Sequence, residues 1–474
     1  MEVTIANVGP VRSAAMSLEP LTVLVGPNNS GKSIVLAILY AGLSGFGGFL
    51  PIDMVRSSNQ PGLAPDDTGD LLVALTELLG SPRRPALNDI PREVRSVLQE
   101  RLSISLQAYG EICIDQLSLA TGVPINGLRR AHKKTSRSTI TVSSNDPAWK
   151  VAARITAAGV RYDINPPELR DAWECIDREA WRRFRNRARR LPRTSVSTIF
   201  NDLYSEVLRA CFKDFPKHTR YLPAARSGLM QSHKALAVSL VRRASYAGIR
   251  EMQIPAVSGI IADFLAEMIE VGPAPSGQFS GQAARLEDEI LHGRIELKDD
   301  PVGGYPEPVY QSPDGEFPLG RTSSMVSELA PVVLYLRHLM QHGDLLMIEE
   351  PEAHLHPQAQ VAFAKAIVRL VNAGLKIAMT THSEFFLQQL NNAVVAAELN
   401  GKDSDKIGLD RDTRISAKDV AAYLFRPDGD GTQVVQLAID PRDGIPESSF
   451  SEVAEYLYEQ TVALDKRVSD GPED

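Results

Sequence analysis

The stretch that decides the fold is Leu21-Thr22-Val23-Leu24-Val25-Gly26-Pro27-Asn28-Asn29-Ser30-Gly31-Lys32-Ser33-Ile34-Val35-Leu36-Ala37-Ile38-Leu39. Its first five residues are apolar and partly β-branched, as in a buried strand, and Ile34–Leu39 reads as a buried helix. Between them stands G-x-x-x-x-G-K-S in the strand–loop–helix setting that a phosphate-binding loop requires. Gly26 and Gly31 let backbone N–H groups turn inward around phosphate oxygens, with Asn28, Asn29 and Ser30 completing the loop. The helix N-terminus adds its dipole, Lys32 spans the β and γ phosphates, and Ser33 offers a hydroxyl to Mg²⁺. ATP and Mg²⁺ are the expected ligands.

A second apolar strand, Asp344-Leu345-Leu346-Met347-Ile348, ends in Glu349-Glu350-Pro351-Glu352. In a parallel sheet ligands sit at the carboxyl ends of strands, which brings these acids beside Lys32. Adjacent strand residues point oppositely, so the two acids divide the work. Glu349 is expected to hold the Mg²⁺ water shell, and Glu350 to orient or deprotonate the attacking water. A third strand, Lys376-Ile377-Ala378-Met379-Thr380-Thr381, ends in His382-Ser383 after an intervening helix expected over Pro357–Ala373. A neutral His382 there senses the γ-phosphate and aligns the water.

Together these pieces resemble the ABC-class ATPases, in particular the OLD-like branch. That branch includes the ATPase subunits of the anti-phage systems Gabija, Septu and PARIS; the likeness extends more distantly to RecF and SMC-like repair ATPases. The resemblance is carried by Ile348-Glu349-Glu350-Pro351-Glu352-Ala353-His354-Leu355-His356-Pro357 and by Tyr221-Leu222-Pro223-Ala224-Ala225-Arg226-Ser227-Gly228. The segment from Ala6-Asn7-Val8-Gly9-Pro10-Val11 through Ser33 shares it.

The resemblance implies an α/β fold, an ABC-type P-loop ATPase head with a parallel core sheet, flanking helices, an antiparallel lobe and an α-helical insertion. It also implies two heads closing face to face as a homodimer or higher homo-oligomer, with ATP between the P-loop of one and a signature helix of the other. That helix would begin at Arg321-Thr322-Ser323-Ser324-Met325, where Ser323 and Ser324 would meet the γ-phosphate with hydroxyls and unpaired N–H groups. Met325 stands where the family has a glycine, which points to slow or partner-regulated hydrolysis. Leu329, Val332, Val333, Leu336 and Leu339 also suit a plain packing helix. By resemblance the role is sensor or scaffold of an anti-phage system controlling a separate effector, a nuclease or toxin. The alternatives are a RecF-like DNA-repair ATPase, and an ATP-dependent binding switch with incidental hydrolysis.

Two acidic or histidine clusters are read without metal or nuclease chemistry. His354-x-His356 is expected to be a loop facing the partner head. Asp428-Gly429-Asp430-Gly431 is expected to be the turn of a hairpin between Ala421–Phe425 and Val434–Ile439. The tail after His382 is short for an added nuclease domain, so no intrinsic nuclease is expected.

Charge is unevenly distributed. The whole chain has 51 Lys+Arg and 59 Asp+Glu, a net of −8. Residues 121–250 hold 26 basic and 10 acidic side chains, a local +16, which leaves 25 basic and 49 acidic residues elsewhere. From Glu168 the pattern is helical, with Leu169, Trp173, Ile176, Ala180, Phe184, Ala188 and Leu191 forming one apolar stripe. The rest of that helix carries Arg178, Arg182, Arg183, Arg185, Arg187, Arg189 and Arg190. Glu174/Arg178 and Glu179/Arg183 are favourable pairs, whereas Arg178/Arg182, Arg183/Arg187 and Arg185/Arg189 repel at i,i+4. An anionic partner is expected, either DNA or RNA bound without regard to sequence or an acidic protein. Arg129, Arg130, Lys133, Lys134 and Arg137 add to the same charge.

Composition is globular, and Cys113, Cys175 and Cys211 imply no disulfide or zinc framework. No charged segment followed by an apolar core opens the chain, so a cytoplasmic protein without a signal peptide is expected. Ser33–Ile52 is uncharged and long enough to span a bilayer, yet its glycines and its phosphate motif favour a buried helix running into a loop; no membrane contact is expected. The expected organisation is residues 1–90 and 217–400 as two parts of one ATPase head, 91–216 as a helical, basic insertion with a β-hairpin, and 401–474 as an α/β extension with an acidic tail. Within the insertion, strands are expected at Ile140–Val142 and Val160–Ile164, and Pro61–Leu87 reads as loop with a short helix at Leu71–Leu79.

Overall fold

The computed structural model describes residues 1–47, 83–130, 137–190, 196–232, 257–272, 274–298, 306–399, 408–446, 458–462 and 464. The expected helix at Leu71–Leu79, most of the loop around it, Lys133, Lys134, Leu191 and the end of the acidic tail lie outside the described residues. The chain forms two compact units. One comprises Met1–Ser17, Ala37–Arg220 and Ala256–Ile261; the other comprises Leu18–Leu36, Tyr221–Pro255 and Ala262–Asp474.

Numbered along the chain, the strands begin with β1 (Glu2–Val8), β2 (Val11–Ser17), β3 (Leu21–Val25), β4 (Ser138–Asn145), β5 (Ala148–Thr156), β6 (Gly159–Asn165) and β7 (Thr219–Leu222). They continue with β8 (Arg294–Lys298), β9 (Glu307–Ser312), β10 (Gly315–Pro318), β11 (Leu345–Glu349), β12 (Lys376–Thr381), β13 (Val420–Asp428) and β14 (Gly431–Leu437).

The first unit is built on antiparallel strands in the order β6-β5-β4-β1-β2. The two strands expected around Ile140 and Val160 are present, and β5 between them makes a three-stranded meander rather than a hairpin. The helix Arg92–Thr121 lies on β5 and β6, where Tyr109 meets Trp149 edge-on at 6.0 Å and Phe212 at 5.4 Å. Gly110 makes that approach possible, since a Cβ there would lie 2.8 Å from Val151 Cγ1.

The single helix expected from Glu168 is instead two, Leu169–Glu174 and Arg178–Ala188. The first ends at Cys175, and Asp177 starts the second, its carboxylate accepting from Ala180 N–H at 2.6 Å as an N-cap. The break separates Glu174 from Arg178, and Glu174 pairs with Arg170 at 3.3 Å instead. Glu179 and Arg183 do pair, at 3.2 Å. The apolar stripe holds, with Leu169, Trp173, Ile176, Phe184 and Ala188 buried, and Trp181 joins it.

The second unit carries the parallel core. Its order is β14-β13-β3-β12-β11-β7, with β13, β3, β12 and β11 parallel and β13–β14 an antiparallel hairpin. The expected turn at Asp428-Gly429-Asp430-Gly431 closes that hairpin, Asp428 accepting from Asp430 N–H at 3.0 Å. Strands β3, β11 and β12 are nearly continuous apolar runs because both faces are covered. Their cover includes the helices Ser280–Leu286, Ser324–Leu334, Pro357–Asn372 and Glu384–Val395, which share one core with Val23, Ile348 and Met379. A separate antiparallel sheet, β10-β9-β8, completes this unit. Among the described residues no helix is long and apolar enough to cross a membrane.

Candidate active site

Strand register alone gathers the chemistry. Val25, the last residue of β3, is the partner of Thr381, the last of β12; Thr380 is in turn the partner of Glu349, the last of β11. The residues that follow are Gly26, His382 and Glu350, so three loops leave adjacent strand ends together.

The first of these is the P-loop. Leu424 pairs with Val25, and this sets Phe425 against Gly26, whose added Cβ would lie 2.7 Å from the Phe425 carbonyl oxygen. Gly26 (φ +149°), Asn29 (φ +60°) and Gly31 (φ +98°) curl the loop into a cradle, and the helix Lys32–Gly47 starts directly from it. Lys32 is buried and donates to the carbonyls of Gly26 at 2.8 Å and Pro27 at 2.7 Å. Burial pushes its pKa down to about 8, against the opposing pull of Glu350 and Glu352. Ser30 is buried, and its hydroxyl has no hydrogen-bond partner in the structure. Asn28, Asn29 and Ser33 are exposed. A cradle closed to any side chain at Gly26, an orphaned hydroxyl and a lysine at a helix start are the donor set of a polyphosphate site. The residues fit ATP, and Ser33 and Glu349 fit an accompanying Mg²⁺.

The acidic strand end is held from one direction by the Tyr221–Gly228 run. Glu349 accepts from Tyr221 Oη at 2.8 Å and from Ala224 N–H at 3.2 Å, so its carboxylate is oriented by its own chain. Arg226 is fully buried and donates to the main-chain carbonyls of Pro223 (3.1 Å), Glu349 (2.6 Å) and Glu350 (3.1 Å). It also pairs with the equally buried Glu328 at 2.7 Å. Burial pushes the Glu328 carboxyl up, and Arg226 opposes this. Glu350 leaves the strand with φ +43°, a left-handed conformation rare outside glycine. Its N–H donates to both the carbonyl and the hydroxyl of Thr380 at 3.1 Å, and Arg226 holds its carbonyl. The strained backbone is thus fixed from both ends.

His382 follows β12, and its Nε2 stands 3.5 Å from Glu350 Oε1. Burial first, then the Lys32 charge, lowers its pKa below 6.5, while Glu350 pulls the other way. The net shift favours the neutral ring. Ser383 caps the next helix by accepting from Phe386 N–H at 3.1 Å.

Ser323 is the N-cap of the helix Ser324–Leu334, accepting from Val326 N–H at 3.4 Å, and Ser323 and Ser324 are both exposed. The packing face read from the sequence exists too, with Leu329, Val332, Val333 and Leu336 buried. One helix thus combines an apolar inner face with an exposed serine start. His356 caps the helix Pro357–Asn372, its ring nitrogen accepting from Gln358 N–H at 3.4 Å. Among the described residues no cluster of three His, Cys, Asp or Glu side chains suits a metal ion by itself.

The arginines of Arg178–Ala188 belong to the other unit. Arg187 pairs with the buried Glu206 and lies 3.6 Å from Asp202; Arg209 also pairs with Glu206 at 2.7 Å. Part of the anionic partner inferred from repulsion is the neighbouring helix Val196–Cys211 of the same chain, which sequence spacing could not show. Arg178, Arg182, Arg183 and Arg190 are exposed, as is Arg189, whereas Arg185 is half-buried.

The roles of Arg226, Glu328, Tyr221 and Thr380 were missed by sequence reasoning. The signal available for Arg226 was a lone arginine in the run Leu222-Pro223-Ala224-Ala225, where an unpaired charge would be out of place.

A family model described as an AAA ATPase domain matches residues 259–387, which include Glu328, Glu349, Glu350 and His382 but not the P-loop. No curated protein matches the chain. Among solved structures, the SMC head bound to the C-winged-helix domain of ScpA aligns with a TM-score of 0.39 and 11% identity, over 92% of this chain and 97% of that one. The SMC head domain from Thermotoga maritima gives 0.35 and 9%, over 92% and 98%. The Smc head with an extended coiled coil bound to the C-terminal domain of ScpA, from Pyrococcus furiosus, gives 0.38 and 11%, over 97% and 98%. The class itself follows from the strand order and the loops at its ends: this is an ABC-like P-loop ATPase fold, mixed α/β with a parallel core.

Two outcomes follow from this geometry. Arg226→Met strands the buried Glu328 charge and should lower stability by about 3–5 kcal/mol in urea unfolding. Arg226→Met/Glu328→Leu should recover most of that loss, and a single-variant loss under about 1 kcal/mol would show that the pair carries little. Above pH 8 Lys32 loses its proton in the nucleotide-free chain, so ATP affinity measured by calorimetry should fall by up to about tenfold per pH unit. Folding stability moves the other way between about 8 and 10.5, because burial penalises only the charged lysine. An affinity that stays flat from pH 7 to 10 would remove Lys32 from the phosphate contact.

Proposed function

We propose that this chain hydrolyses ATP to ADP and phosphate and works as a homodimer or higher homo-oligomer. Each copy offers Ser323 and Ser324 to the nucleotide held by another. The observation that carries this reading is the convergence of Lys32, Glu349, Glu350 and His382 on adjacent strand ends. Lys32 meets the β and γ phosphates, and Glu350 takes the proton of the attacking water while neutral His382 aligns it. Ser33 and Glu349 would hold Mg²⁺, which would supply charge neutralisation. Met325 in the signature turn favours slow or partner-regulated turnover. The resemblance of Ile348–Pro357 and Tyr221–Gly228 to OLD-like ATPases supports a sensor or scaffold role in an anti-phage system that controls a separate nuclease or toxin.

The wild-type chain should hydrolyse ATP with Mg²⁺. Lys32→Ala should weaken ATP binding by about tenfold or more, and Glu350→Gln should keep binding but lose about 99% of turnover. Both should abolish protection against phage in cells that also carry the effector. Normal ATP binding by Lys32→Ala would end the P-loop reading, and full protection by Glu350→Gln would leave only a binding switch.

We further propose that the exposed part of the basic helix meets nucleic-acid phosphates. Arg178, Arg182 and Arg190 are the residues to test, since reversing Arg187 would also break its pair with Glu206. Changing the three to Glu should weaken duplex DNA binding and reduce the salt slope of the affinity by about 0.9 for each phosphate no longer neutralised. Unchanged binding would leave an acidic protein as the partner of this surface.

A further inference from the structure

Glu352 is the third carboxylate of the Glu349–Glu352 turn, and the roles given to Glu349 and Glu350 do not use it. Its Oε1 accepts from the Thr381 hydroxyl at 3.0 Å and from the main-chain N–H of His382. Its Oε2 is buried without a hydrogen-bond partner. The ladder between β11 and β12 ends at the pair Glu349–Thr380, and the Glu350 N–H bond to Thr380 extends it by one step. The next rung is made by the side chain of Glu352, bent back across the turn to the residues that present His382.

We propose that Glu352 is a positioning residue: its Oε1 locks the His382 main chain to the turn that carries Glu350, and so holds the 3.5 Å approach of His382 to Glu350. Two flexible side chains at the ends of different strands keep such a spacing only if their backbones are tied together. One carboxylate oxygen accepting two bonds, one from each of two consecutive residues, is such a tie. What matters on this account is the reach of the oxygen; the charge is dispensable. The consequence for turnover rests on the ATPase reading above, whereas the tie itself does not.

Two variants separate reach from charge. Glu352→Asp keeps the charge and withdraws the oxygen by a methylene, while Glu352→Gln removes the charge and keeps an acceptor at the same reach. Hydrogen exchange at the His382 amide of the nucleotide-free full chain should speed up by about tenfold or more in Glu352→Asp and stay within about threefold of wild type in Glu352→Gln. In steady-state assays Glu352→Asp should lose about tenfold or more in kcat with KM for ATP within about twofold, and Glu352→Gln should restore most of kcat. Unchanged exchange in Glu352→Asp, or the reverse ranking of the two variants, overturns the proposal. So does a KM for ATP that rises as fast as kcat falls, which would make Glu352 a nucleotide contact. A wild-type chain without any turnover would instead overturn the ATPase reading, and the exchange comparison would still decide whether Glu352 holds His382.

Discussion

A guanidinium with no exposed surface, Arg226, is the constraint on which the site depends. Burying that charge is tolerable only because its donors meet the carbonyls of Pro223, Glu349 and Glu350 and its charge meets Glu328. Those acceptors come from three separated segments: the loop after β7, the end of β11, and the helix begun by Ser323 and Ser324. Their relative positions are thereby set by one planar, forked side chain. A lysine, with a single point charge, could not reproduce that geometry. Such a pair gives specificity of arrangement more than stability, since an apolar replacement could pack as well. Here the arrangement fixed is the end of the acidic strand relative to the serine-bearing helix.

The same constraint explains why Glu350 sits in a left-handed conformation. A non-glycine residue there costs of order 1 kcal/mol or more and persists only when the surroundings over-determine it. Thr380 holds its N–H and Arg226 its carbonyl. The turn directs the Glu350 carboxylate toward His382, whereas Glu349, still on the strand, stays bound to Tyr221 and Ala224. The two adjacent acids thus face different partners because of a backbone reversal as well as strand alternation.

Arginine–glutamate pairs recur in both units. In the unit that holds the site, buried carboxylates are answered by arginines, as in Arg226–Glu328 and Arg337–Glu287. In the other, the buried Glu206 is likewise met by Arg187 and Arg209, while Arg178 and Arg182 of the Arg178–Ala188 helix lie exposed. The formal −8 of the whole chain describes neither unit.

The sequence by itself determined the strand–loop–helix at Gly26–Ser33, the acidic strand end, the strand leading to His382 and the hairpin turn at Asp428–Gly431. Each is a local pattern, in which apolar runs of strand length are punctuated by glycines or charges, and local patterns survive folding. It also marked the apolar stripe from Leu169 to Ala188, but not the break at Asp177, because a stripe with helical spacing continues across a capped turn. The rule for parallel sheets placed the acids and His382 near Lys32, but tertiary structure decided the strand order and the register that make Gly26, His382 and Glu350 follow adjacent strand ends, with β3 far along the chain from β11 and β12. Tertiary structure alone decided the partners of Arg226, Glu328, Glu352 and Arg187. A side chain's partner on another element depends on where two backbones pass, and spacing along one of them carries no record of the other.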